Sequence, residues 1–387
     1  MERFNVSIMV GESKMTYVVI FFLLILLRYS LLGQNKFASQ VYPYILGFLF
    51  IFSAFRFEIG CDWGNYRTIH LTTALPLDQI WYRFLSEPLH TLSSKVLHFF
   101  NLSYLWVHIY SSVIFFFGVH QLAKRQPDPL GFLVLLFPIL IINMPMSAVK
   151  QGAAIGIMCL AFIAFQDKKL WKYILLTSLA AGFHTSAIIF FVLAPFIRGE
   201  LTPKKIILGG FLSLPIIGIV LLSSAVETAV DRYIVDQALK SAGAIYRVGS
   251  LGISAGLFFI LFKNKWKISS PQDYTLMVIG SLIMMSCLLI VPVSSVIGDR
   301  VGYYMLPLQA IFYARLPYLA FDKFRPLLVA FPYIFLFSLF LLWTSTSSLF
   351  SQCYVPYRTW FFGVPERARD YETEDEERRA VIPEVPL

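Results

Sequence analysis

Apolar residues in this chain come in long blocks, not in the short alternations of a water-soluble fold. A run of roughly 20 apolar residues crosses a ~30 Å hydrocarbon layer as a helix. About eleven runs approach that length, near residues 16–33, 41–57, 103–123, 129–146, 147–166, 172–197, 204–224, 247–262, 274–297, 300–320 and 326–350. Lipid offers backbone groups no hydrogen-bond partner, so the crossing element must be helical. The pattern predicts an all-α polytopic membrane protein of about 11 membrane-spanning helices, with one helical domain over 1–365 and a charged, disordered tail over 366–387.

Two stretches break the blocks. Residues 78–100 set Ile80, Phe84, Leu85, Leu89, Leu92, Val96 and Phe100 on one helical face, which predicts an amphipathic helix in an outward-facing loop over 58–100, lying on the membrane surface. Residues 172–197 are interrupted by Gly182-Phe183-His184-Thr185-Ser186 and are basic at both ends. At ~1.5 Å per residue this stretch is long for one crossing. It reads as a re-entrant pair of half-helices, with a single tilted helix as the alternative.

Basic residues favour the inner side of short loops. The clusters are Lys124-Arg125, Lys168-Lys169 with Lys172, Lys263 with Lys265 and Lys267, and Arg315 with Lys323 and Arg325. A re-entrant pair puts Arg198, Lys204 and Lys205 inside with the last two clusters, and leaves Arg232, Lys240, Arg247 and Arg300 outside; a single crossing reverses that assignment. On the re-entrant topology the 56–95 loop, Lys150, Asp299-Arg300 and Arg358 all face outward, and His184 points the same way.

Composition narrows the function classes. The chain is 57% hydrophobic and 14% charged, with a mean hydropathy of +0.68, too apolar to cover a soluble surface. Without the tail it carries 28 basic and 15 acidic residues, a net of +13. That excess suits inner loops and contact with membrane lipids. No P-loop, Rossmann glycine pattern or internal repeat occurs, so neither a nucleotide cofactor nor a nucleic-acid partner is expected. No Cys/His spacing suggests a metal. The first apolar run contains Arg28 and no clean cleavage site, and reads as a retained crossing. Of the four cysteines, Cys61 and Cys353 near helix ends could pair, but the reading favours unpaired thiols.

The densest chemistry lies at residues 54–67, where Arg56, Glu58, Asp62, Tyr66 and Arg67 follow a membrane run, with Gly60 and Gly64 among them. Charges at a helix end are commonly an interfacial cap of mutually paired groups. This density and the flanking glycines favour function. Glu87 before Pro88, Lys150 at the start of a small-residue run, His184, and Asp299-Arg300 with Tyr303 and Tyr304 extend the constellation. For each, snorkelling or a local ion pair is the bland alternative. Ionisable groups at membrane depth are costly and default to function.

The order of these pieces resembles a family. Arg56-Phe57-x-x-Gly60-x-Asp62-x-x-x-Tyr66 is followed by Glu87-Pro88 and by a basic residue opening the fifth crossing. Phe183-His184-x-Ser186, Asp299-Arg300-x-x-x-Tyr304 and Pro356-Tyr357-Arg358 complete the series. The series is similar to the EpsG/Wzy family of membrane polysaccharide polymerases, up to about residue 360. It departs from the family's usual arginine at Lys150, which keeps the charge but loses the bidentate fork. The resemblance implies a nucleotide- and metal-independent glycosyltransferase of the bacterial plasma membrane that builds O-antigen (lipopolysaccharide) or exopolysaccharide. It would join oligosaccharide units carried on polyprenyl (undecaprenyl) diphosphate at the periplasmic or exterior face. A chain-length-regulating membrane protein is an implied partner.

On that reading Asp62 is the first choice for general base, with Glu87 and His184 behind it. Arg56, Lys150, Arg300 and Arg358 would hold the diphosphate, and Asp299 would orient Arg300. Glu58, Tyr66, Arg67 and Tyr304 would complete the substrate site. A lipid-linked oligosaccharide flippase and a polysaccharide ligase are the rivals. A flippase would line a pathway through the bundle, whereas these residues gather on one side.

Overall fold

The computed structural model describes residues 2–198, 243–319 and 324–363, together with 202, 204, 205 and 207, with side chains from residue 15 onward. Among them the only extended pairing is an isolated bridge between Arg56 and Thr359. The helices are α1 (Glu2–Ser30), α2 (Asn35–Ala54), α3 (Trp63–Thr72), α4 (Trp81–Ser86), α5 (Pro88–Phe99), α6 (Leu105–Ala123), α7 (Pro129–Leu136), α8 (Val149–Gln166) and α9 (Leu170–Phe183). After a 3₁₀ segment (Thr185–Phe196) come α10 (Ala244–Leu257), α11 (Lys263–Ser269), α12 (Pro271–Ile290), α13 (Ser295–Arg315), α14 (Arg325–Thr346) and α15 (Ser348–Tyr354).

Among the described residues six helical stretches are long and apolar enough to cross a membrane: 35–54, 105–123, 149–166, 244–269, 271–290 and 325–346. Four shorter apolar ones cover 15–30, 129–141, 170–183 and 185–196. Within the described residues the apolar blocks become helices, though not all of them are full-length. The run near 204–224 beyond residue 207, Arg232, Lys240, Lys323 and the 366–387 tail lie outside the described residues.

Two helices form the centre. Every residue of α8 except Lys150 and Leu160 is buried, as expected of a helix apolar all round. It meets α6 backbone to backbone, since a Cβ on Gly118 would lie 1.8 Å from the carbonyl oxygen of Gly156. Only glycine permits so close a crossing. The second is α13, likewise buried along most of its length although it carries Asp299, Arg300 and Arg315. Ser294 caps it by accepting from the Ile297 amide at 3.4 Å.

The chain reverses at His184, whose backbone is extended (φ −152°, ψ 119°). Tyr173 Oη donates to the Phe190 carbonyl at 2.5 Å. In a straight helix 17 residues would separate these groups by ~25 Å, so the 3₁₀ segment folds back along α9.

The predicted amphipathic helix is two helices. Pro88 cannot continue a helix from the preceding turn, and Glu87 adopts φ −141°, ψ 68° between α4 and α5. The expected apolar face divides accordingly: Ile80 is 2% exposed, while Leu85, Leu92 and Phe100 are more than half exposed.

Residues 55–61 are stitched to 353–360. Gly60 N donates to Cys353 O at 2.7 Å, Phe57 N to Arg358 O at 3.0 Å and Trp360 N to Phe55 O at 2.9 Å. Cys61 and Cys353 form a disulfide across 292 residues of sequence. This corrects the expectation of unpaired cysteines, because only the folded chain brings the two helix ends together. Gly60 is required here twice over: its φ is +100°, and a Cβ would sit 2.1 Å from Met146 O.

Candidate active site

A cavity of about 750 Å³ opens among α3, the α4–α5 junction, the start of α8, the break at His184, α10, α13 and α15. Of the sequence candidates, Asp62, Tyr66, Glu87, Lys150, His184, Asp299 and Arg300 line it. They come from segments up to 238 positions apart in the sequence.

Each side chain is placed by a local feature. Asp62 takes the position before the first turn of α3, where aspartate normally caps the helix. Its carboxylate makes no capping bond and faces the cavity instead. Tyr66 follows one turn later and is buried. Glu87 sits at the Pro88 break and Lys150 in the first turn of α8, so the two meet, with Nζ 2.5 Å from Oε2. His184 stands at the chain reversal, its Nδ1 held 2.6 Å from Ser186 Oγ. Ser186 in turn lies 3.0 Å from Tyr304 Oη. Gln151 Nε2 donates to the Arg300 carbonyl at 2.6 Å and fixes α8 against α13.

Five candidates do not line the cavity. Arg56 is completely buried, and its guanidinium is spent inside the protein. Nε donates to Met146 O at 2.7 Å, Nη1 to Ser53 O at 2.8 Å, and Nη2 lies 3.0 Å from His108 Nδ1. The expected diphosphate clamp is therefore a tie between the end of α2 and the segment before α8. Arg358 pairs with Glu58 at the protein surface, and Arg67 is half-buried away from the cavity wall. Tyr304 is fully buried behind His184, where it positions Ser186 and need not touch a ligand.

The partner expected for Asp299 is also corrected. Its carboxylate receives Arg247 Nε at 2.9 Å and Nη2 at 2.5 Å, a bidentate pair to a residue read from sequence as an ordinary loop charge. Arg247 opens α10 just behind Gly243, whose φ of +84° is left-handed. A basic residue in the first turn of an apolar run was the available signal, the same one that singled out Lys150. Asn65, Gln151, Tyr303 and Tyr354 also line the cavity; Asn65 lies in the charge-rich 54–67 stretch, Gln151 follows Lys150 and Tyr303 follows Asp299-Arg300, while nothing in the sequence sets Tyr354 apart.

Tyrosines apart, the titratable lining comprises Lys150, Arg247 and Arg300, the acids Asp62, Glu87 and Asp299, and His184. Burial pushes the Asp62 carboxyl above its usual value, against the opposing pull of Arg300 and Lys150. A carboxylate so raised is a better proton acceptor than a surface one, and the nearby cations can meet an anionic ligand through charge-assisted bonds. Among the described residues no group of three or more His, Cys, Asp or Glu side chains is arranged to hold a metal ion.

A family profile, that of the EpsG family, matches residues 39–359, a span that includes every residue of the cavity wall. No curated protein matches, and no solved structure does.

Proposed function

The chain belongs to the EpsG family, and from that premise we propose that it polymerises lipid-linked oligosaccharide units into O-antigen or exopolysaccharide. The observation that carries the proposal is a half-buried Asp62, making no capping bond and facing Arg300 and Lys150 across one polar cavity. Asp62 removes the proton from a hydroxyl of the acceptor sugar. That oxygen attacks the anomeric carbon of the donor, and the bond from this carbon to the diphosphate breaks. The polyprenyl diphosphate leaves with the bonding pair. Lys150 and Arg300 stabilise the charge gathering on it, while His184, fixed through Ser186 and Tyr304, stands by as a second proton carrier.

Two features support an outward-facing site in the plasma membrane. Cys61, on the cavity wall, is disulfide-bonded, and disulfides persist in oxidising compartments. The Lys124-Arg125 and Lys168-Lys169 clusters sit at the other ends of α6 and α8 from the cavity, where inner loops would carry them. The reversal at His184 supports a re-entrant pair, because irregular backbone at membrane depth is tolerated where it lines a cavity. A flippase would need a polar path to the far end of the bundle. There the polar groups are instead closed on each other, with Arg28 on Asp128 and Arg315 on Asp273.

The test is the product profile of a strain lacking this chain. Accumulation of lipid-linked single repeats at the outer face, relieved by the wild-type chain, is the expected result. Loss of all outward product would point to a flippase and sink the proposal.

A further inference from the structure

One side-chain arrangement occurs twice on the cavity wall. In the first group Lys150 is ion-paired with Glu87 at 2.5 Å and lies 6.0 Å above the Tyr66 ring. In the second Arg247 is ion-paired with Asp299 at 2.5 Å and lies 5.4 Å above the Tyr303 ring. All six residues line the cavity, yet the two groups share no helix: the first is built from α3, the α4–α5 junction and α8, the second from α10 and α13.

Both pairs are largely withdrawn from water, with side-chain exposures of 19% and 16% in the first and 12% and 8% in the second. Burying such pairs is costly and is weak support for stability. A carboxylate on one side and an aromatic face on the other hold each cation in a fixed orientation at the wall. A cation so fixed loses little freedom when an anion arrives.

We propose that Arg247, Asp299 and Tyr303 form a second anion-binding station, distinct from Lys150, Glu87 and Tyr66, so that the cavity holds two prenyl diphosphates at once. The identity of the ligands rests on the polymerase reading, in which donor and acceptor each carry a diphosphate. The chemistry assigns the stations. The donor's diphosphate is bonded to the reacting anomeric carbon and must lie beside the base; Arg300 and Lys150 are the cations acting on Asp62. The acceptor's diphosphate is separated from its attacking hydroxyl by the length of the repeat unit and changes no bond. The Arg247 station suits this spectator.

The test is stoichiometry, measured by titrating the purified full-length protein in lipid nanodiscs with farnesyl diphosphate. The wild-type protein binds two equivalents. Arg247→Gln abolishes one site and Lys150→Gln the other, while Arg247→Lys keeps its site with roughly tenfold weaker binding, because the charge survives and the fork does not. The double variant Arg247→Gln/Asp299→Asn removes both charges and gives the same loss if the single variant misfolds. One equivalent in the wild type, two in Arg247→Gln or its double variant, or displacement of the Arg247-dependent site by phosphatidylglycerol at equal concentration would overturn the proposal. Conversion of lipid-linked repeats to polymer is scored in the same preparation. Two sites without polymer would sink the polymerase reading and leave the second station standing.

Discussion

At the start of α13, Asp299 and Arg300 face a cavity of about 750 Å³. At its end, Arg315 is enclosed: it pairs with Asp273, donates to Gln126 Oε1 at 2.9 Å and lies 5.5 Å above the Trp266 ring. Beside it, Asp128 caps α7 through the Gly131 amide at 2.8 Å and holds Arg28 Nη2 at 2.5 Å. Both ends use arginine, aspartate and an aromatic ring. What differs is the space next to them. Where the packing closes, the charges cancel one another and lock four helices and a loop; where it stays open, the same residue types line the cavity wall. Residue type alone does not distinguish a lock from a site.

That contrast is sharpest for Asp62, where the largest effect is expected. Asp62→Asn keeps shape and removes the base, so polymerisation should fall by roughly 10²–10⁴-fold with the protein level unchanged. Product length on a gel, alongside an immunoblot, measures both. Near-normal polymer from this variant would end its assignment as base.

At the closed end the order of effects reverses. Asp273→Asn leaves Arg315 buried without its charge partner and should cost about 3–5 kcal/mol of stability. Folded protein in the membrane should drop, while activity per folded molecule stays near that of the wild type. A fall in specific activity at constant protein level would break the comparison, because it would place the lock in the chemistry.

Gly60→Ala tests the stitch between the regions. A side chain at φ +100° is strained, and its Cβ would press on Met146 O, costing on the order of 1–3 kcal/mol. Because Gly60 precedes Asp62 by only two positions, thermal stability and activity should fall together. If stability dropped while activity held, Asp62 would not depend on this turn.

The pH dependence is a smaller effect of definite sign. Asp62 is raised above 3.8 by burial, and the base works deprotonated. The acidic limb of the rate profile should therefore have its midpoint above 3.8 and shift or vanish in Asp62→Asn. For folding the sign is opposite: a carboxyl whose folded pKa is raised favours the folded state at pH values below the ordinary carboxylate range, and that contribution is lost as pH rises through the raised value. The smallest effect is at the surface pair of Glu58 and Arg358. Arg358 is 46% exposed in its pair with Glu58, so Glu58→Gln should change stability by less than about 1 kcal/mol and leave polymer length unaltered.

Most of the fold was legible because lipid enforces it. Apolar runs had to become helices, and the interruption at His184 had to turn the chain somewhere other than in lipid. Pro88 is visible in the sequence; in the structure it splits the expected amphipathic helix and thereby delivers Glu87 to Lys150. The site was legible in part. Seven of the twelve candidates share the cavity, because a polar group retained at the end of an apolar run signals some task. Which task was not written there. Arg56 and Arg247 are alike in sequence in one respect, each an arginine at an end of an apolar run. Only the packing made Arg56 a tie between backbone carbonyls and put Arg247 on the cavity wall.

Local pattern thus determined the class of protein, its helices and the short set of residues able to do chemistry, since hydrophobic length and the cost of buried charge act position by position. Tertiary structure alone decided the partners: Cys61 with Cys353, Asp299 with Arg247 rather than Arg300, and Lys150 with Glu87. Those choices depend on which helix ends meet, and that is set by contacts such as Gly118 on Gly156, far in sequence from the groups they bring together.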